Sequence, residues 1–444
     1  ATGPIPAGGS DFEVDQRAKE KAMAQQKDAQ QKEEESFGRI TADGIQRYRN
    51  RIGVLIKEGA PFNQEPHKDT IRHFAHAYGD DNPIFCDEDY ASTTRWEGIV
   101  APPMYLLSLD NTGRPPVPKE VRAAGSGALR GVPNYLAGGS YELIRPVRPG
   151  DLVHLNHFVE GVEETDSEFG GGRALIVRHR KEYINQRREM VAIRRFHFFY
   201  VEREASEKAG KNTKTYEPPA YDEDYLARID QAYENEFRRG PDTLYWEDVE
   251  PEMEMPSMVK GPIQVQDMIA WHMGMGWGMF RNGVHRLDYL NRKRIPAFYS
   301  KTKDGAWAST MRVHWDDERA QEVGNPRAYD YAFMRTSWMM HYLTNWAGDD
   351  GFVWELADEA RVFNFHGDTT WVHAKVADKS QDGRRNLVEL EIWCENQRGE
   401  VTAPGRAKVL LPSRERGPVT IPATDVEPSP MRTDYAVDTP GCVW

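Results

Sequence analysis

Phe74-Ala-His-Ala-Tyr-Gly-Asp-Asp-Asn-Pro-Ile-Phe85, with Asp87 and Ala91 after it and Ile99-Val-Ala-Pro-Pro103 beyond, is the stretch on which the reading of this chain turns. Ile71, Phe74 and Tyr78 fall on one face of a short helix that Gly79 ends. Asp80-Asp81-Asn82-Pro83 then predicts a turn, because Asn and Asp side chains bond nearby backbone and Pro presets φ. The pattern returns downstream: Phe85-Cys-Asp-Glu-Asp-Tyr-Ala91 aligns with His314-Trp-Asp-Asp-Glu-Arg-Ala320, setting Asp87 against Asp316 and Ala91 against Ala320. In each copy a helix start is expected 18 residues on, at Pro103 and at Ala332.

The strands repeat as well. Gly150-Asp151, strand, Asn185-Gln186-Arg187, strand is matched by Gly367-Asp368, strand, Asn396-Gln397-Arg398-Gly399. Gly170-Gly171-Gly172 marks a turn within the first set. Ala332 to Trp346 carries Phe333, Met334, Trp338, Met339, Met340, Tyr342, Leu343 and Trp346, so that helix is apolar nearly all round and has to be buried. Five or six antiparallel strands after a buried helix predict a sheet wrapped around it, twice over, with the copies side by side. The expected organisation is a polar, helical extension over 1–40, a first domain over 41–202, a linker with a helix (Tyr225 to Arg238) over 203–244, a second domain over 245–412 and a tail over 413–444.

Composition narrows the partners. Asp and Glu outnumber Lys and Arg 70 to 57, and a formal charge of −13 argues against a general nucleic-acid binder. The apolar share is roughly 43% once Gly replaces Tyr in the 39% count, a little under the usual 45–50%, which fits polar decoration at the termini. Cys86, Cys394 and Cys442 are too few and too far apart for a disulfide framework or a thiolate metal cage, Ala1 to Ser10 lack the basic and apolar segments expected of a signal peptide, and the given sequence has no uninterrupted apolar run of about 18 residues. A soluble cytoplasmic protein is expected, with small molecules or proteins as partners.

The segment from Phe74 to Pro103 resembles the hydratase signature of the MaoC-like branch of the hot-dog fold: G-D-x-N-P-[IL]-H, a short acidic stretch, then A-H-G at the start of the central helix. The resemblance covers about 45–202 and 245–412. It implies an α+β double hot-dog fold, two antiparallel sheets each around a central helix. It also implies an acyl-CoA hydratase or dehydratase that moves water across the 2,3 double bond of an enoyl thioester. The family's chemistry pairs a carboxylate and an imidazole five residues apart as general acid and base, with backbone N–H groups at the helix start for the enolate oxygen. It implies no metal or other cofactor, with the CoA thioester as substrate, and association into a homodimer by analogy.

Neither half carries the whole pattern. The first keeps Asp80 and Asn82 but has Phe85 for the histidine, and Pro103 at the helix start has no N–H to donate; it is expected to be silent. The second keeps His314 and the Ala332 amide but has Ser309 for the aspartate and Met311 for the asparagine. The expected site is therefore His314 with Asp330 as carboxylate, the Ala332 N–H as oxyanion donor, and Tyr331 and Arg335 against the substrate. A composite of Asp80 with His314 is the lesser alternative, since equivalent positions of a pseudo-twofold lie apart. Asp80 is equally a capping residue of its turn, and Arg335 equally the partner of a buried acid.

The stretch from Trp271 to Ala308, with His272, His285, Lys301, Lys303 and Asp304, reads as a loop replacing the short turn and lining an acyl pocket or supplying an acid. Eleven of twelve Trp lie from Trp246 onward, which suits a bulky ring, aromatic or steroid acyl group and equally suits ordinary core. His73 and His76 lack a second ligand pair for zinc, and Met-Gly-Met-Gly-Trp-Gly278 lacks the context of a phosphate loop. Thioester hydrolysis on the same fold, and a non-catalytic acyl-CoA-binding subunit, remain alternative functions.

Overall fold

A computed structural model describes residues 37–56, 63, 65–109, 117–167, 172–202, 216–276 and 284–423. The polar extension up to residue 36, the Gly170-Gly171 turn, residues 203–215 of the linker and the tail from 424 lie outside them. The helices of eight or more residues are α1 (Ala42–Arg49), α2 (Lys68–His76), α3 (Glu223–Glu234), α4 (Val265–Gly274), α5 (Arg286–Arg294) and α6 (Ala332–Ala347). The strands are β1 (Asn134–Leu143), β2 (His154–Ser167), β3 (Gly172–Ile184), β4 (Met190–Val201), β5 (Met258–Lys260), β6 (Tyr299–Lys301), β7 (Trp307–Ser309), β8 (Phe352–Glu359), β9 (Thr370–Asp382), β10 (Arg385–Asn396) and β11 (Val401–Leu410).

Nine strands make one sheet in the order β2-β3-β4-β1-β8-β11-β10-β9-β5. β1 and β8 pair antiparallel at the centre, Tyr141 opposite Leu356, so a four-stranded and a five-stranded unit meet edge to edge and neither central edge is left open. At that seam a Cβ on Gly138 would lie 2.5 Å from the Asp358 carbonyl oxygen, so only glycine lets the backbones approach there. The core is continuous across the halves: Ile71, Phe74 and Tyr105 from the first pack in one cluster with Trp271, Trp338 and Met339 from the second.

The repeat holds bond by bond. Asp151 Oδ2 accepts from Arg148 N at 2.8 Å as Asp368 Oδ2 does from Phe365 N at 3.0 Å. Gly150 N donates to Pro66 O, just before α2, as Gly367 N does to Ile263 O, just before α4. In the hairpins Asn185 Oδ1 accepts from the amides of Arg187 and Glu189, and Asn396 Oδ1 from those of Arg398 and Glu400. Asp87 and Asp316 each cap a short helix with the side chain.

Three expectations need correction. Where a central helix was expected from Pro103, the described residues hold a 3₁₀ segment, Pro103–Leu109. The stretch from Trp271 to Ala308 is not a loop: it holds the end of α4, all of α5 and the β6–β7 hairpin. The linker helix begins and ends earlier than Tyr225 and Arg238, because Asp222 caps α3 through the Tyr225 amide and Asn235 closes it. Among the described residues no helix is long and apolar enough to cross a membrane.

Candidate active site between the halves

Two places carry the residues singled out in the sequence, and they differ in what surrounds them. The first is the Gly-Asp-Asp-Asn-Pro turn. Asp80 is 1% exposed. Its Oδ1 accepts from Asn82 N at 3.0 Å and its Oδ2 from the Tyr78 hydroxyl at 3.0 Å. Facing it from the other half is His341, in the middle of α6, with Nε2 3.5 Å from Asp80 Oδ1 and 3.4 Å from Glu236 Oε1. Lys260, the last residue of β5, places Nζ 3.1 Å from His341 Nδ1, 3.3 Å from Glu236 Oε2 and 3.4 Å from Gly79 O. Asn345 Nδ2 lies 3.1 Å from His341 Nε2.

The electrostatics follow from burial. Desolvation dominates at Asp80 and raises its carboxyl to about 7, against the lowering effects of the Asn82 amide, the Tyr78 hydroxyl and the Lys260 ammonium. Burial also holds His341 well below its ordinary value, and Lys260 and Arg238 push the same way. The pair thus comprises a carboxyl that changes charge near neutrality and an imidazole that stays neutral, a separation of roles typical of acid–base sites. Above it lies a cleft of about 670 Å³ lined by Tyr78, Glu236, Lys260, Met334, Trp338 and Asn345, among others. Met334, Trp338 and Asn345 of α6 line it, and His341, on the same stripe at intervals of four, three and four, lies beneath the lining with Asp80.

The second place is the expected site in the second half. His314 donates through Nδ1 to Tyr329 O at 2.9 Å, and its ring stacks on Tyr331 with centroids 3.8 Å apart. The residue keeps some exposed area, yet its ring nitrogens sit deep among protein atoms, and that burial pushes its pKa down to about 3. Asp330 does not reach it: the carboxylate lies 2.9 Å from Arg335 Nε, both side chains buried, and burial raises its pKa to about 6 despite Arg335. Arg335 also donates to the carbonyls of Val362 and Thr402. Arg335 is therefore an internal tie between α6 and the sheet, which removes it as a substrate contact and Asp330 as the partner of His314. Tyr331 is 3% exposed and its hydroxyl meets His272 Nε2 at 2.8 Å, so it too is engaged within the protein.

Ala332 opens α6, where its amide has no acceptor within the helix. Nine residues of helix rise separate it from His341 by about 13 Å, so an enolate beside one is out of reach of the other. Ser309, at the position of Asp80, keeps only the turn bond, accepting from Met311 N at 3.2 Å, and lines an apolar cavity of about 460 Å³ with His272, His285 and Trp315. In the first half Phe85 and Pro103 line a remnant of about 80 Å³. The composite with Asp80 exists, but with His341 in place of His314. His341, Lys260, Glu236 and Asn345 were missed in the sequence, although a histidine and an asparagine four residues apart in an otherwise apolar helix were the available signal.

Residues 52–194 match the family model for the FAS1-like dehydratase domain region. A protein of Thermomonospora curvata named "Probable enoyl-CoA hydratase alpha subunit" is 30% identical over 167 residues, 35% of this chain and 51% of that one. The chain thus spans about half the length of the curated relative it matches. Among solved structures, a MaoC-like dehydratase superposes with a TM-score of 0.54 at 14% identity, over 81% of this chain and 98% of the other. A MaoC domain dehydratase from Chloroflexus aurantiacus J-10-fl gives 0.49 at 13% identity, over 82% and 96%.

The architecture is the double hot-dog of the MaoC-like dehydratases. The family-model match lies in the first half, where residues 52–194 resemble a dehydratase domain region.

Proposed function

We propose that this protein is a hydro-lyase that adds or removes water across the 2,3 double bond of an enoyl-CoA thioester, with Asp80 and His341 as the reacting pair. The observation that carries the reading is a buried carboxyl raised to about 7, 3.5 Å from a buried imidazole, under a cleft between the two halves. The likeness to a protein named as an enoyl-CoA hydratase subunit supports the thioester class. No cofactor is part of the proposal, since a carboxyl, an imidazole and one water suffice for the proton balance.

In the hydration direction the Asp80 carboxylate takes a proton from water as the water oxygen bonds to C3. The C2–C3 π pair becomes the C1–C2 double bond of an enolate as the carbonyl π pair moves to the thioester oxygen. The Asp80 carboxylic acid then gives its proton to C2 and the carbonyl re-forms, leaving a 3-hydroxyacyl thioester and Asp80 as it began. Ile263, Met334 and Trp338 supply the apolar wall for the acyl group along the cleft. Assembly with a second copy or with another subunit belongs to the same proposal, and the mass of the native particle decides between them.

The test is a panel of enoyl-CoA thioesters followed by loss of the conjugated absorbance. Turnover is expected, and Asp80→Asn should lower it by about 10²–10⁴. No turnover on any chain length or ring system sinks the reading. Free CoA released from saturated acyl-CoA would point instead to hydrolysis.

A further inference from the structure

Lys260 has no counterpart in the sequence signature, yet it touches both halves of the site. Its ammonium reaches His341 Nδ1 at 3.1 Å, Glu236 Oε2 at 3.3 Å and Gly79 O at 3.4 Å. An ammonium has three donors and no acceptor, so Nδ1 of His341 must accept from it, and a neutral imidazole that accepts at Nδ1 carries its hydrogen on Nε2. Nε2 faces two acceptors, Asp80 Oδ1 at 3.5 Å and Glu236 Oε1 at 3.4 Å. The Asn345 amide fits the same assignment once turned over: its oxygen then accepts from Nε2–H, and as placed that buried oxygen has no partner.

We infer that Lys260 is a positioning residue that holds His341 as the neutral Nε2–H tautomer, aimed at Asp80, and so leaves Asp80 as the single proton carrier of the pair. The inference rests on the reading of Asp80 and His341 as the reacting groups. The charged and titratable groups facing His341 are Tyr78 and Asp80 from the first-half turn, Glu236 and Arg238 from the linker, and Lys260 from β5. A second proton on His341 would set a cation 3.1 Å from the Lys260 ammonium in a buried site. Burial of the ring, with Lys260 and Arg238, keeps it in the neutral form. Lys260 acts through the imidazole; the same side chain ties β5 to Gly79 O and so sets the distance between the halves.

The experiment is two-bond proton–nitrogen NMR on the full chain labelled with ¹⁵N-histidine, which separates the two neutral tautomers from imidazolium; His341→Gln assigns the signal. The wild type should show the Nε2–H pattern without change from about pH 5.5 to 8.5, a range in which an ordinary histidine titrates. Lys260→Met should let His341 titrate inside that range or mix tautomers, and should add a second limb to the pH profile of turnover. An Nδ1–H or imidazolium signal in the wild type near pH 7 overturns the inference without any variant, as does an unchanged signal in folded Lys260→Met. The tautomer is read without substrate. The expected signal in a protein that turns over no thioester therefore keeps the lock and rejects the hydratase reading, and turnover with the wrong tautomer does the reverse.

Discussion

The two halves keep their shared scaffold far better than their shared site. Asp151 and Asp368 hold the same turn, Asn185 and Asn396 the same hairpin, and Gly150 and Gly367 the same link to the preceding helix. The turns that should carry chemistry have diverged. Asp80 retains its carboxyl and lies opposite His341, whereas Ser309 retains a single backbone bond at the rim of an apolar cavity. His314, the one histidine in register with the family pattern, is spent on Tyr329 O and Tyr331. Hairpin bonds are local and survive any change elsewhere, while a site made by two elements survives only where both partners persist. The insertion that carries α5 and the β6–β7 hairpin lies between α4 and Ser309 in the chain, and Ser309 shares an apolar cavity with Met268 and His272 of α4, where Asp80 follows α2 within a tight turn.

The largest effect should separate the two turns directly. Asp80→Asn should lower kcat on an enoyl thioester by about 10²–10⁴, the usual worth of a positioned acid or base, and His341→Gln, which removes the N–H aimed at Asp80, should lower it too, while His314→Gln leaves kcat within a few-fold and lowers stability instead. Loss of turnover in His314→Gln with retention in His341→Gln would reverse the assignment of the site. Next come the paired aspartates. Asp368 is fully buried and takes both Arg398 Nη atoms, at 2.7 and 2.9 Å, whereas Arg187 stands 3.9 Å from Asp151. Chemical denaturation should show a loss on the order of 3 kcal/mol for Asp368→Ala and about 1 kcal/mol for Asp151→Ala; equal losses would mean the repeat is energetically symmetric.

A third measurement uses pH. The folded-state pKa of Asp80 is raised, so its contribution is full below about pH 4 and is lost as pH rises to about 7. Asp80→Asn should therefore gain stability at pH 8 relative to the wild type, by up to about 4 kcal/mol from the linkage alone, and gain little at pH 4. A Tm difference that does not change between those two pH values would contradict the raised carboxyl. The smallest effect belongs to its counterpart: Ser309→Ala removes one turn bond and should lower stability by less than about 1 kcal/mol, with turnover unchanged.

Much of the fold was legible before any coordinates. The helix start at Ala332 and the paired Asn-Gln-Arg hairpins were legible, because turns and strand patterns are written by neighbours in the chain, whereas the helix expected from Pro103 is a 3₁₀ segment. The apolar run from Phe333 to Trp346 marked α6 as buried, as it is. Less of the site was legible. Asp80 stood out through its turn, but its partner is 261 positions away in a helix whose hydrophobicity drew attention from the one histidine in it. Asp330 was picked for its nearness to Ala332, and nearness in sequence says nothing about which way a side chain at a helix start points; it points to Arg335.

By itself the sequence determined that one β-rich unit is used twice, where its turns and buried helix lie, and that Ser309 and His314 align with Asp80 and Phe85 in the repeat. Only the tertiary structure decided that Asp80 meets His341, Glu236 and Lys260, and that His314 meets carbonyl and ring. Local bonds form between residues a few positions apart and leave a period in the sequence. A pair joined across two packed halves leaves none, because its distance is set by how the sheet edges at β1 and β8 and the helices α2, α4 and α6 come together.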